Sequence, residues 1–214
     1  MPNTTLPRKR LPRAERRRLL LDAAGRVFAE RGYEAAGVDS IARAAGVTVP
    51  VVYDHFSSKA DLYAELVRVH YAGLREVWFR HASTGNPVAA WLDAAIDDWF
   101  AYVEVNPFAG RMLFHEATGD PVASAVHRKI QDASRAEVTE LLRYQAELSG
   151  TELGDDIAVA LAWETLRAVL QGLAVWWRER PEVPRARLVD AAMNAIWVGL
   201  ERVVDGDRWR GDEP

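Results

Sequence analysis

The sequence predicts an all-α fold of nine helices in two unlike modules, a small three-helix N-terminal one and a larger helical bundle after it. Three observations carry this. Strand-type alternation is nearly absent, and apolar residues recur at helical spacing. The dipeptides Asn86-Pro87, Asn106-Pro107 and Asp120-Pro121 each put an N-cap side chain directly before a proline. Such a side chain accepts from an orphan amide, and a proline in the first turn has no amide to leave unpaired. Finally, composition shifts near Ser57–Ser58. Residues 1–60 carry 11 Lys/Arg against 6 Asp/Glu, the remainder carries 16 against 25, and all eight Trp lie beyond residue 77.

Residues 1–12 read as a flexible basic arm, and across 8–18 seven cations face only Glu15. The first helix, about 13–30, ends at Gly32 and puts Leu20, Ala24, Val27 and Phe28 on one face. Two short helices follow, about 38–45 and 49–54. The fourth starts after Ser58, with Asp61 at the capping-box spacing, and reaches about residue 79. The fifth, 87–105, sets Val88, Leu92, Ala95, Ile96, Trp99 and Val103 against Asp93, Asp97 and Glu104. A short sixth covers 107–117, and a seventh covers 121–148 before Gly150. Residues 206–214 read as a disordered tail.

The last two helices, 155–180 and 184–204, each carry two apolar stripes. In the eighth these are Val159, Trp163, Leu166, Leu170, Leu173 and Trp177, and then Ile157, Leu161, Ala168 and Val175. In the ninth, Val189, Met193, Trp197, Leu200 and Val204 run beside Leu188, Ala192, Ala195, Gly199 and Val203. A surface helix of a monomer needs one stripe. Two stripes predict a two-fold dimer in which these hairpins form a four-helix bundle, deep burial within one chain being the alternative. Trp163, Leu166, Leu170, Ala192, Ala195, Gly199 and Leu200 are the candidate interface, because small side chains admit a close helix.

Residues 38–54 form two short helices around Ala45-Gly46-Val47-Thr48, and a Gly-containing turn of this length is the helix-turn-helix signature. Thr48 is placed to cap the second helix, with only the Val51 amide open to its hydroxyl because Pro50 has none. Here the chain resembles the TetR-type one-component transcriptional regulators. The resemblance rests on Gly32-Tyr33, Val38-Asp39-Ser40-Ile41-Ala42, Ala45-Gly46-Val47-Thr48 and Val52-Tyr53-Asp54-His55-Phe56-Ser57-Ser58-Lys59-Ala60-Asp61-Leu62. It spans about residues 13–66. It implies a DNA-binding domain over 13–58, then an effector-binding and dimerisation domain over 59–205.

The resemblance also assigns phosphate contacts to Thr48, Tyr53, His55 and Lys59. Independently, a second helix seated in the major groove presents its first turns to base edges. Those positions are Val49, Pro50 and Val51, none of which reads guanine or adenine bidentately. Direct readout should therefore be narrow. Where the family often has Ser or Thr, Gly37 and Val38 stand, so Val38 meets the DNA without a capping hydroxyl. Affinity then leans on the basic arm, with Arg16 and Arg17 among the residues placed at the DNA and arm arginines entering a minor groove.

In the family the later helices enclose a cavity for a small molecule. Trp91, Trp99, Tyr102, Phe108, Met112, Trp163 and Trp176 are the candidate apolar lining. His115 and Gln131 are candidate polar anchors. The partners expected are thus a palindromic double-stranded DNA operator, a lipophilic or aromatic effector and a second copy of the chain. Repressor is the sign expected, because release from an operator is the commoner family behaviour; an activator of the same fold is the alternative.

Other classes fare worse. Cysteine is absent, which excludes disulfides, iron–sulfur clusters and thiol chemistry. There is no phosphate loop, GxSxG elbow or HExxH, so neither an enzyme nor a cofactor or metal is expected. A helical adaptor would explain the double stripes and leave the basic helix-turn-helix idle. No signal peptide opens the sequence and no stretch approaches ~18 uncharged residues, so no membrane partner and a cytoplasmic location are expected.

Overall fold

A computed structural model describes residues 11–82, 87–106, 109–110, 119–150 and 154–204. Among them are eight helices and no strand. They are α1 (Arg13–Ala35), α2 (Val38–Ala44), α3 (Val49–Tyr53), α4 (Lys59–Arg80), α5 (Val88–Val105), α6 (Pro121–Ser149), α7 (Asp156–Arg178) and α8 (Arg185–Val204). Of the expected helix at 107–117, only Ala109 and Gly110 fall among the described residues, and both are helical. Most of the basic arm and the tail at 206–214 lie outside the described residues.

Local chemistry accounts for most ends. Gly32 breaks the α1 helix with φ 73°, a left-handed backbone that side chains resist. Ser58 caps α4 by accepting from the Asp61 amide, while Asp61 accepts from Ser57 rather than from Ser58. Asp120 accepts from the amides of Val122 and Ala123 at the start of α6, and Gly150 closes that helix in the left-handed region. Asn106 stands between two helical stretches: its side-chain amide donates back to the Tyr102 carbonyl at the end of α5, while its own carbonyl accepts from the Ala109 amide.

Two apolar cores result. The first joins Leu20 and Phe28 of α1 to Ile41, Val52 and Phe56, and draws in Leu62 and Leu66 from α4 and Ala123 from α6. The second gathers Trp78, Trp91, Trp99, Phe100, Leu166, Leu170 and Trp177. Tyr71 packs against both, so α4 is the shared member. In the larger module α4 lies along α6 and α5, α5 packs on α8, and α7 pairs with α6 and α8. Arg185 at the start of α8 grips Asp97 and Glu104 of α5 at 2.9 and 2.8 Å. The acidic face of α5 is therefore partly a docking face for α8.

The interface expectation needs correction. Trp163, Leu166 and Leu170 of α7 and Ala192 of α8 are all buried and pack inside their own chain. The other stripe is largely bare: Ile157 is 68% exposed and Leu161 62%, in line with exposed Ala168, while Val175 at its far end is half-buried. Ala195 does face outward on α8, beside Ala191 and Val198. The side chains of Gly199 and Leu200 lie outside the described residues. By length and composition alone α7 would be apolar enough to span a membrane, but it carries Glu164 and Arg167 and packs its inner face in the second core.

Candidate nucleic-acid interface and adjoining cavity

The turn between α2 and α3 is fixed by two crossed backbone bonds. The Gly46 amide donates to the Arg43 carbonyl and the Val47 amide to the Ala42 carbonyl, with Gly46 at φ 67°. This pairing closes the open end of α2 and requires a residue at ease in the left-handed region, hence glycine. Val52 then points inward at 2% exposure, locking α3 against Ile41 and Phe56. Thr48, Pro50 and Tyr53 are left on the open side, with Tyr53 51% exposed and Val38, Val49 and Val51 half-buried beside them.

Several expected contacts are redrawn. The Thr48 side chain makes no capping bond, because the Val51 amide donates to the Thr48 backbone carbonyl at 3.0 Å. Lys59 points at the end of α1: its Nζ donates to the Tyr33 carbonyl at 2.9 Å and lies 4.3 Å above the Tyr33 ring. Arg17 donates to the His55 carbonyl at 2.8 Å, pairs with Glu65 at 3.3 Å and covers the Phe56 ring. Lys59 and Arg17 therefore brace the module. Arg16 stays half-exposed at its edge. His55 is half-buried with Nδ1 unpaired, and burial followed by the fields of Arg13, Arg16 and Arg17 pushes its pKa down.

Behind this module a cavity of about 230 Å³ opens between α4, α5, α6 and α7. Tyr71, Leu74 and Trp78 form the α4 wall, with Trp99 from α5. Gln131, Ser134 and Arg135 come from α6, and Trp163, Arg167 and Leu170 from α7. Of the residues expected to bind a ligand, Trp99, Gln131 and Trp163 line it. Trp91 does not; it is packed in the second core at 1% exposure. Tyr102 is turned toward α4, where its hydroxyl meets His70 Nδ1 at 2.6 Å. Trp176 stands outside, 42% exposed, beside a separate surface hollow against the start of α8. Phe108, Met112 and His115 lie outside the described residues.

Missing from the sequence-based set were the α4 wall, Ser134, the two arginines and Leu170 as a wall rather than an interface residue. The α4 residues were discoverable: Tyr71, Leu74 and Trp78 recur at helical spacing on one face. Among the described residues no three His, Asp or Glu side chains gather as a metal would require.

A three-helix reader with an open α3 face, joined by α4 to a helical body with an aromatic cavity, defines a helix-turn-helix transcriptional regulator. The comparisons agree. Residues 20–66 match the family model for bacterial regulatory proteins of the tetR family. The chain is 33% identical over 197 residues to the transcriptional activator FasR of Mycolicibacterium smegmatis, covering 91% of this chain and 87% of that one. It is 27% identical to the transcriptional repressor KstR2 of Rhodococcus jostii, over 86% of this chain and 91% of the other. The crystal structure of the TetR-family regulator PfmR of Thermus thermophilus superposes with a TM-score of 0.67 at 25% identity, covering 83% and 96% of the two chains. The chain belongs to the TetR family of DNA-binding transcriptional regulators, and it is not an enzyme.

Proposed function

We propose that the chain acts in the cytoplasm as a homodimeric repressor that binds a palindromic operator and leaves it when a small effector fills the cavity. The observation that carries this is the single helix α4, which starts at the reader beside Lys59 and ends in the cavity wall at Trp78. A ligand preferring one tilt of α4 changes the separation of two α3 helices, which must match half-sites roughly 34–36 Å apart. The two-fold partner is supported by α7, whose Ile157, Leu161 and Ala168 stand exposed along one face. The interface is then this outer stripe with Ala191, Ala195 and Val198.

At the DNA, Thr48, Pro50 and Tyr53 make the contacts. Val49 and Val51 offer methyl groups to thymine, and residues 1–12 add charge. The test is selection of genomic fragments by the purified protein, followed by gel shift. One inverted repeat should be enriched and should be released by a lipophilic effector; retention of random fragments alone overturns the reading. The name of the mycolicibacterial relative favours an activator instead. In-vitro transcription from the selected fragment separates the two signs.

A further inference from the structure

We infer that the effector is an anion: a lipophilic body seated among Trp78, Trp99 and Trp163, with one carboxylate received by Arg135 and Arg167. This rests on the reading of the cavity as the effector site. Its ten lining residues include two arginines and no acid.

The arginines are only partly neutralised. Both share Glu164, which stands outside the lining. Arg167 forks onto Oε2 from Nε at 2.8 Å and Nη2 at 2.6 Å, and its Nη1 donates to Gln171 at 3.1 Å. Arg135 Nε lies 3.1 Å from Oε1, but that oxygen is buried and receives no aligned hydrogen bond. One carboxylate between two guanidiniums leaves a surplus cation. Asp132, 4.0 Å from Arg135 and 73% exposed, sits on the solvent side, where water screens it. Arg135 is half-exposed and offers the open fork, while Arg167, one-third exposed and already bonded to Glu164 and Gln171, adds its charge beside it.

The chemistry follows from the guanidinium. Its planar fork matches a carboxylate with two parallel bonds, which an alcohol cannot reproduce and an ammonium would repel. The remaining polar walls, Tyr71, Gln131 and Ser134, are neutral and hydrogen-bond either kind of head group. Charge preference is thus assigned to two residues, one on α6 and one on α7. An anion binding both draws these helices together at the wall they share with α4.

The test uses the full-length protein and matched probes: decanoate against decanol, and 4-biphenylcarboxylate against 4-phenylphenol. Binding is read from quenching of tryptophan fluorescence, and the variants' folding from thermal melts and operator gel shifts. Each carboxylate should bind at least tenfold more tightly than its neutral partner. The R135Q/R167Q double variant should bind both members of a pair equally, and E164Q should tighten the carboxylates several-fold. Neutral probes binding as well as carboxylates, or a preference that survives in the double variant, overturns the anion assignment and leaves the cavity as effector site. No quenching by any probe at millimolar concentration, with operator binding intact, overturns the cavity reading and the anion with it.

Discussion

The Tyr33 hydroxyl donates a 2.6 Å hydrogen bond to Asp120 Oδ2, while Asp120 Oδ1 accepts the amides of Val122 and Ala123 that open α6. One carboxylate thus joins the end of the reader's first helix to the start of a cavity helix. The Tyr33 bond, then the Ala123 amide, hold Asp120 below the usual carboxylate range, and burial followed by Asp120 pushes the Tyr33 phenol far up. Tyr33→Phe removes only this bond. It should cost about 1–2 kcal/mol in urea unfolding. Operator affinity should stay close to the parent's while effector-driven release weakens; release unchanged in a gel shift would show that the link plays no part in signalling.

Stability should fall on the acid side through His70. This ring is buried, meets Tyr102, and is lowered by burial from 6.5 to about 4, while Tyr102 is pushed up to about 12. The unfolded chain therefore takes up a proton between these values while the folded chain does not. The stabilisation is complete above pH 6.5 and drains away as pH falls toward 4, on the order of 3 kcal/mol in all. Denaturant melts of the parent and His70→Gln across this range should converge as pH falls. A constant difference would mean that His70 is not the group responsible.

Tyr53 and Arg17 should fail in opposite ways. Tyr53 is exposed, so Tyr53→Phe should leave the melting temperature unchanged and weaken operator binding about five- to tenfold, the equivalent of one lost hydrogen bond. Arg17→Met loses the His55 carbonyl, Glu65 and Phe56 together, costing about 1–2 kcal/mol of stability. The slope of log affinity against log salt should change little in either case, because a braced arginine neutralises no phosphate. A slope reduced by about 0.9 in Arg17→Met would return this residue to the DNA surface.

The outer stripe of α7 makes the fourth case. Leu161→Arg puts a charge on a 62% exposed site and should leave a folded monomer that no longer binds the inverted repeat. Leu166→Arg puts the same charge in the core at 3% exposure and should not fold. Sedimentation velocity and circular dichroism distinguish them. A Leu161→Arg dimer of parental affinity would place the partner elsewhere.

What the sequence disclosed follows from how local each signal is. Gly46 closing α2, Gly32 breaking α1 and Asp120 capping α6 depend on neighbours within a few residues, and all three are visible as text. Asn106 looks identical to Asp120 beside its proline, but its amide side chain also donates back to the Tyr102 carbonyl, a bond that a carboxylate does not make. The two stripes of α7 were visible, yet periodicity says that there are two faces and not which one the chain keeps. Arg135 and Arg167 were missed for a related reason: a charged residue on a helix reads as solvated until its neighbours in space are known. Trp99 and Trp163 were found because they are aromatic, but the same reasoning also named Trp91, Tyr102 and Trp176, which pack in the core, turn to His70 and face outward.

The continuity of α4 has a mechanical consequence. Twenty-two residues at a rise of 1.5 Å make an unbroken shaft about 33 Å long. Pivoting it by about eight degrees at Trp78 would sweep the Lys59 end through about 4 Å, more than the spacing of stacked base pairs. In the proposed switch, small rearrangements around a bound molecule would be magnified in this way into a mismatch of register, with neither module unfolding.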